Sequence, residues 1–344
     1  MEEQEKMVRN NIERMDDEYY EENIAGFEVL SALVSDKNNF QICLKEMKAE
    51  DDDGLKALED YDSQVVSYLE EDDGDYHTAN LWGIAYLKSV FFLKEERSVI
   101  LTDIFEVSER DTDFIDIIPM DDQDDYTRLG TSLKMLGEHV YAGGDLRKLF
   151  KRVGIGEWED VTDPAKHPNL YKDIDFINQR DGSYLNVNSG FADFDGFSEQ
   201  DIYAAGDKDV WRFDGIRWHR VELPDYPYDI RCVLCAADGY VYIVGQGGTL
   251  AKGRGETWEI FDIPFLEYKK AAWFNDTLWL ASDYELGVFK EGEYKRYEFP
   301  KGGDAQYSFG GVCACPELLM AYGPAQVLVY DGEAWKEIIG PVLY

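Results

Sequence analysis

The stretch DIYAAGDKDVWRFDGIRWHRVELP (residues 201–224) combines two short apolar strands, a glycine after the first strand, an Asp-Gly turn and a late tryptophan. The same pattern recurs in four other places along the chain. These are HVYAGGDLRKLFKRVGIGEWEDV (139–161), YVYIVGQGGTLAKGRGETWEIFDIP (240–264), TLWLASDYELGVFKEGEYKRYEFP (277–300) and LLMAYGPAQVLVYDGEAWKEIIGP (318–341). The chain therefore contains at least five copies of one unit.

Two independent markers keep the same period through these copies. The small residue that closes the first strand occurs at positions 144, 206, 245, 282 and 323, so its last three intervals are 39, 37 and 41 residues. The aromatic residue that opens the last strand occurs at positions 158, 218, 258, 294 and 335, with last intervals of 40, 36 and 41. The first interval of each series is longer, which predicts an insertion near residues 163–189.

A period of about 40 residues with several short strands in each unit is typical of a β-propeller. The pair Asp214-Gly215, like Asp331-Gly332, is a strong hairpin signal. A single four-stranded sheet cannot bury both of its faces, whereas a closed ring of such sheets buries them between neighbours. The repeats therefore predict an all-β propeller of four-stranded blades.

The segment GFSEQDIYAAGDKDVWRFDGIRWHRV also resembles the repeat of bacterial β-propellers within the broad WD40/YVTN-like assemblage. The resemblance covers roughly residues 134–344. It implies the fold and says little about activity, since propellers host enzymes, lectins and scaffolds alike. It rests on Asp201, Ile202, Tyr203, Ala204, Gly206, Asp207, Val210, Phe213, Asp214, Gly215 and Trp218.

Residues 1–133 form an acidic N-terminal part without clear repeats, followed by the five recognisable blades of residues 134–344. We interpret residues 25–120 as two degenerate blades, with a hairpin across Asp36–Asn39, which predicts one seven-bladed ring. Apolar residues at positions 55, 58, 61, 65 and 69 have helical spacing and predict an acidic helical insert; residues 1–20 fit a second helix. A separate α/β domain attached to a smaller ring is the alternative. Contact between the strand containing residues 90–92 and the blade that starts near Ser132 would favour the single ring.

The net charge of −37 is extreme and uneven. Residues 1–133 contain 36 acidic and 12 basic side chains, a net of −24, and residues 134–344 contain the remaining 35 and 22, a net of −13. Such a field repels nucleic acid and anionic membranes and attracts basic proteins. The chain starts without a signal-peptide pattern and contains no long apolar run, and its five cysteines do not suggest a disulfide framework. These features predict a cytoplasmic protein.

The sequence shows no catalytic or metal-binding signature, so we predict neither enzyme activity nor a cofactor or metal. None of the four histidines has metal-ligand spacing to another, and His139 and His219 are expected to have surface or structural roles. Residues on a strand alternate in direction, so the C-x-x-C at 232–235 and the C-x-C at 313–315 fit small buried thiols better than a zinc site. DFDGFSEQD (193–201) and EDDDG (50–54) lack the full calcium-loop pattern and are interpreted as turns.

These observations favour a non-enzymatic protein-binding propeller. The most specific version of this hypothesis is an immunity-type inhibitor that neutralises a cognate basic toxin. Two acidic runs are expected to steer the partner, and aromatic side chains to anchor it. The predicted partner-binding residues are Glu70, Glu71, Asp72, Asp73, Asp121, Asp122, Asp124 and Asp125. The alternative is a propeller that binds or cleaves glycans at the mouth of the ring, because 31 Tyr and Trp residues are available to stack on sugars.

Overall fold

The computed structural model describes most of the chain. The described residues are 12, 14–47, 62–69, 75–81, 87–92, 97–102, 105–109, 115–116, 130–172, 190–206, 209–224, 226, 229–299 and 307–340. Among them, 28 strands form seven four-stranded antiparallel sheets, each a meander of four consecutive strands. The all-β class and the four-stranded blades are therefore confirmed.

The first three sheets come from the N-terminal part and the first repeat. Sheet 1 contains β1 (Phe27–Asp36), β2 (Asn39–Glu46), β3 (Ser63–Leu69) and β4 (Asp75–Leu81). Sheet 2 contains β5 (Leu87–Phe92), β6 (Arg97–Thr102), β7 (Glu106–Glu109) and β8 (Ile115–Asp116). Sheet 3 contains β9 (Gly130–Leu136), β10 (His139–Gly144), β11 (Lys148–Gly154) and β12 (Glu157–Asp160).

The remaining four sheets follow the other repeats. Sheet 4 contains β13 (Asp193–Ser198), β14 (Asp201–Ala205), β15 (Val210–Phe213) and β16 (Trp218–Val221). Sheet 5 contains β17 (Ile230–Cys235), β18 (Val241–Gly245), β19 (Thr249–Arg254) and β20 (Thr257–Asp262). Sheet 6 contains β21 (Lys270–Phe274), β22 (Thr277–Ala281), β23 (Leu286–Lys290) and β24 (Glu293–Arg296). Sheet 7 contains β25 (Gly311–Ala314), β26 (Leu319–Gly323), β27 (Gln326–Tyr330) and β28 (Trp335–Ile339).

The first strand of each sheet lies at the centre of the propeller. These inner strands contact one another in the order β1, β5, β9, β13, β17, β21, β25, and β25 contacts β1 again. In its described part, the structure has six full blades rather than the seven that the sequence predicts, because sheet 2 is reduced by an outer strand β8 of only two residues. The contact between β5 and β9 is the one that the single-ring interpretation requires.

The recurring glycine of the repeat has a steric cause. At the end of the second strand, the chain passes against the backbone that leads into the inner strand of the same sheet. A Cβ atom at Gly206 would lie 2.0 Å from the Gly190 carbonyl oxygen, and one at Gly245 would lie 2.0 Å from the Asp229 oxygen. This close approach requires glycine at these two positions, whereas Ser282 occupies the equivalent position of sheet 6.

The predicted helical insert is wrong where the structure describes it. Residues 63–69 form strand β3, which pairs with β2 and β4. Val65, Val66 and Tyr68 are all buried, so both faces of this strand are covered and the polar–apolar alternation of a half-exposed strand is lost. Residues 53–61 and 70–73, the rest of the predicted helix, lie outside the described residues.

The hairpin expected across Asp36–Asn39 is confirmed, because these two residues pair at the end of β1 and β2. The described helix of the N-terminal region, α1 (Asp17–Asn23), only partly overlaps the expected helix over residues 1–20. Ile12 and Met15 precede it in non-helical backbone and are buried against the last sheet, where the Met15 amide donates to the Ile338 carbonyl at 3.0 Å. Ile12 and Met15 are therefore buried against sheet 7 from non-helical backbone, and they do not lie along one side of a helix as the sequence predicted.

Between β12 and β13, where the sequence predicts an insertion, the described part contains a short 3₁₀ helix, Pro168–Tyr171. Its Leu170 is fully buried in the cluster that also contains Trp218, and Asn169 donates to the Trp218 carbonyl at 2.6 Å. The insertion therefore packs onto sheets 3 and 4. Residues 173–189 lie outside the described residues.

Candidate binding surface and hub

All eight acidic residues predicted to bind a partner lie outside the described residues. Glu70, Glu71, Asp72 and Asp73 fall between β3 and β4, and Asp121, Asp122, Asp124 and Asp125 fall between β8 and β9. The second calcium-like stretch, residues 50–54, is likewise outside them. The role of these carboxylates stays a prediction.

The described residues present an aromatic pair on one face of the propeller. We call this the loop face, the side on which inner strands begin and second strands end. Phe265, in the loop from β20 to β21, is 85% exposed, and Tyr284, in the loop from β22 to β23, is 75% exposed. Lys270 at the start of β21 pairs with Ala281 at the end of β22, so both loops lie at the same end of sheet 6. An ion pair of 2.7 Å between Lys269 and Asp283 joins the two loops.

The surroundings of this aromatic pair are mixed in charge with accessible carboxylates. Asp283 is about half exposed, and Glu267 accepts from Arg231 at 3.1 Å in the same loop region. Aromatic residues are enriched at protein-binding surfaces, so these exposed rings mark a candidate docking surface. The pair was missed at the sequence level, because Phe265 follows a proline and resembles any other loop residue.

The opposite side, the hairpin face, is where inner strands end and turn into second strands. Ile216, in the turn from β15 to β16, is 82% exposed there. Tyr240, before β18, and Val153 and Ile155, near the turn from β11 to β12, are also exposed. Val153 and Ile155 share one turn of sheet 3, whereas Ile216 and Tyr240 lie singly on sheets 4 and 5.

The centre of the ring, which we call the hub, contains a buried charge network. Asp193 on β13 is fully buried and forms an ion pair of 3.0 Å with Lys134 on β9. The Asp193 carboxylate also accepts from the Ser132 hydroxyl at 2.6 Å and from the Val233 amide at 3.0 Å. The network therefore links the inner strands of sheets 3, 4 and 5.

Burial alone would raise the pKa of Asp193, but the positive charges of Lys134 and Lys270 and the two hydrogen bonds hold that pKa well below its usual range. Burial raises the pKa of the neighbouring Asp195, although this carboxylate accepts from the Cys235 amide at 2.7 Å. Lys134 keeps its proton, because the attraction of Asp193 and Asp195 outweighs its desolvation and raises its pKa.

This placement corrects the interpretation of residues 193–201 as a turn. Asp193 and Asp195 lie on strand β13, where they pair with Ala205 and Tyr203. Their carboxylates are held by amides of β17, a role that requires the next blade and so could not be inferred from this stretch alone. The sequence signal that could have indicated this role is the spacing of Asp193 and Asp195, two acids separated by one residue on an inner strand.

The histidines with described partners are paired with carboxylates. His139 lies 2.5 Å from Glu199 of the next sheet, and His219 lies 2.6 Å from Asp214 within its own hairpin. His167 is buried beside Phe213, and desolvation lowers its pKa. These contacts agree with surface and structural roles for His139 and His219.

The cysteines of both short motifs are free thiols on inner strands or next to them. Burial raises the pKa of Cys232 to about 12, and it also raises the pKa of Cys235 and of Cys313. Such thiols stay protonated and are poor ligands and nucleophiles. Within the described ranges, no three His, Cys, Asp or Glu side chains come together as metal ligands. Nor does any helix there have the length and apolar character to cross a membrane.

Comparison with solved structures places this chain in the β-propeller class. The WD40 β-propeller domain of Doa1 has a TM-score of 0.58 at 9% identity, covering 89% of this chain and 93% of that one. The propeller domain of Myceliophteria thermophila Cps50 (Swd1) has a TM-score of 0.56 at 10% identity and covers 89% and 98% of the two chains. A streptogramin B lyase has a TM-score of 0.52 at 12% identity, covering 75% and 88%. At these identities the likeness concerns the fold alone.

The sequence matches no protein-family model. It is similar to the immune protein Tsi7 of Pseudomonas aeruginosa, with 29% identity over 202 residues. That alignment covers 58% of this chain and 60% of the relative, so the similarity spans less than two thirds of the relative's length. The solved structures support the β-propeller fold, and the similarity to an immune protein is consistent with the immunity-type interpretation.

Proposed function

We propose that this propeller is an immunity-type protein that binds a cognate toxin in the cytoplasm and neutralises it without catalysing a reaction. The observation that carries the proposal is the 29% identity to the immune protein Tsi7 over 202 residues. The likeness to a streptogramin B lyase extends only to the fold, and it favours no chemistry in this chain.

The net charge of −37 supports a basic surface on the partner, because opposite charges accelerate association and fix its orientation. Hydrophobic contact then has to supply most of the affinity. Phe265 and Tyr284 meet this need on the loop face, since both rings are largely exposed and lie beside Asp283 and Glu267. We propose the loop face of sheet 6 as the docking surface for the toxin.

The charge part of the proposal is tested with the product of the neighbouring gene as the candidate toxin. Replacing Asp121, Asp122, Asp124 and Asp125 with asparagine should slow association about tenfold or more at low salt, and the difference should shrink at high salt. Surface plasmon resonance at two salt concentrations measures this.

The matched control changes the same amount of charge elsewhere, at exposed glutamates that the structure describes. It replaces Glu222, Glu256, Glu291 and Glu293 with glutamine. An equal slowing in both variants would show that only net charge matters. No association of the wild-type protein with the candidate toxin, together with hydrolysis of a glycan by the purified propeller, would support the alternative function.

A further inference from the structure

One loop of the proposed docking surface departs from the repeat. The small residue that closes the second strand of the sheet is glycine at positions 144, 206, 245 and 323, but it is Ser282 in sheet 6. The Ser282 hydroxyl accepts from the amides of Tyr284 and Glu285, at 3.4 and 3.2 Å. The Ser282 amide donates to the Glu285 carbonyl at 3.1 Å. Residues 282–285 therefore form a closed turn that fixes the backbone of Asp283 and Tyr284.

The turn is also anchored through the side chain of Glu285. Its carboxylate accepts from the Tyr294 hydroxyl at 2.6 Å and forms an ion pair of 3.5 Å with Arg296. Asp283 and Tyr284 lie between Ser282 and Glu285 in the chain, and their side chains are half and largely exposed. The fold thus presents a carboxylate and an aromatic ring on neighbouring residues of a fixed turn.

Asp283 is the carboxylate that a partner can reach more readily than Glu267. Its oxygens accept from Lys269 at 2.7 and 2.9 Å, and the side chains of both residues are at least 39% exposed. Glu267, by contrast, accepts from both Arg231 and Gln246, at 3.1 and 3.3 Å. Exposed pairs between lysine and a carboxylate add little stability, whereas arginine binds a carboxylate through two parallel hydrogen bonds. An incoming arginine can therefore replace Lys269 on Asp283.

We propose that an arginine of the toxin binds the Asp283 carboxylate on the loop face and displaces Lys269 from it. The guanidinium then lies beside the exposed ring of Tyr284, on which arginine stacks favourably. In the free protein Lys269 neutralises Asp283, so it competes with the toxin for this carboxylate. The inference rests on the proposed function, because it names the group of the toxin that the docking surface receives.

The test compares two substitutions to which a purely structural bridge would respond alike. Isothermal titration calorimetry measures the affinity of each variant for the product of the neighbouring gene, the candidate toxin. Asp283→Asn should weaken binding about tenfold or more, because the arginine loses its counter-charge. Lys269→Met should tighten binding about threefold or more, because Asp283 is freed from a competing cation. The double variant should bind no more tightly than Asp283→Asn.

The matched control is Lys295→Met, on β24 of the same sheet, because it changes the net charge by the same amount. Lys295 pairs with Glu293 at 3.2 Å, and both side chains are largely exposed. This variant should bind the toxin within about twofold of the wild type, since its charge is screened. In a double-mutant cycle, one arginine of the toxin should lose about fivefold or more of its effect on affinity in the Asp283→Asn background.

Weaker binding by Lys269→Met, or unchanged binding in both Lys269→Met and Asp283→Asn, would overturn the inference and leave the proposed function intact. The first result would show that the bridge only holds the two loops together. Equal tightening by Lys295→Met and Lys269→Met would assign the effect to net charge and would also overturn the inference. No association of the wild-type protein with the candidate toxin would instead count against the proposed function, and the inference would fall with it.

Discussion

Glu109 and Arg152 form a buried ion pair between sheets 2 and 3, with side chains that are only 2% and 5% exposed. The guanidinium donates twice to the carboxylate, at 3.1 and 2.8 Å, and the Gly156 amide donates to the same group at 3.1 Å. The pair therefore links the last part of the acidic N-terminal region to the first recognisable repeat. Its buried position makes each partner dependent on the other.

Glu109→Gln should lower the free energy of unfolding by about 3–5 kcal/mol, because it removes the buried carboxylate that accepts two hydrogen bonds from the Arg152 guanidinium. The matched control is Glu159→Gln, whose partner Lys166 lies 3.4 Å away with both side chains more than half exposed. That change should cost no more than about 1 kcal/mol. Urea unfolding measures both values, and similar losses in the two variants would refute a special role for the buried pair.

Single residues also show which parts of the structure a sequence can reveal. Gly206 and Gly245 recur at a fixed spacing because each meets backbone atoms of its own blade, so the cause of the pattern is local. Lys134 and Asp193 are 59 positions apart, and only the packing of sheets 3 and 4 brings them together. The buried charge network of the hub could therefore not be predicted from the spacing of residues in the sequence, although the four-stranded blade could.

At the scale of elements, strand β3 shows why periodicity misled the prediction. The apolar residues at positions 65 and 69 continue a helical spacing from positions 55, 58 and 61. However, Val65 and Val66 are β-branched neighbours and both are buried, which suits a strand covered on both faces. Short apolar runs of this kind cannot be assigned by spacing alone.

The two loops at the end of sheet 6 act as one element in the proposed interface. Phe265→Ala and Tyr284→Ala should each weaken toxin binding about tenfold or more, since large aromatic rings supply most of the affinity at protein interfaces. Calorimetric titration with the candidate toxin measures the change. Both side chains are largely exposed, so the stability of the propeller should stay within about 0.5 kcal/mol of the wild type.

The control for this prediction lies on the hairpin face. Ile216 is about as exposed as Phe265, and it lies in the turn between β15 and β16 of sheet 4. Ile216→Ala should leave toxin binding unchanged. Weakening by Ile216→Ala, with full binding by the two loop variants, would move the docking surface to the other side of the ring.

At the scale of the whole molecule, the first and last sheets share one hydrophobic cluster. It combines Ile12, Met15, Phe40 and Val66 with Ile338 and other side chains of sheet 7. The backbone adds a hydrogen bond of 2.9 Å from the Val29 amide to the Pro324 carbonyl. This shared core predicts that the N-terminal sheets and the repeats unfold together.

Ile338→Ala should therefore lower the stability of the entire chain by about 2–5 kcal/mol, as expected for a fully buried isoleucine. Circular dichroism and tryptophan fluorescence should follow one common transition in urea, shifted as a whole by the substitution. Ile155→Ala, at an exposed position, is the control. Two separate transitions, only one of them shifted, would instead indicate an independent N-terminal domain.

Each described sheet is built from four consecutive strands, so no sheet mixes strands from the two ends of the chain. At the junction of β1 with β25 and β26, side-chain contact and a few isolated backbone hydrogen bonds replace a continuous ladder. A tensile force applied to the two termini would load this junction first, and the bonds there would break one by one. After it parts, the ring would straighten into a string of blades that rupture in succession.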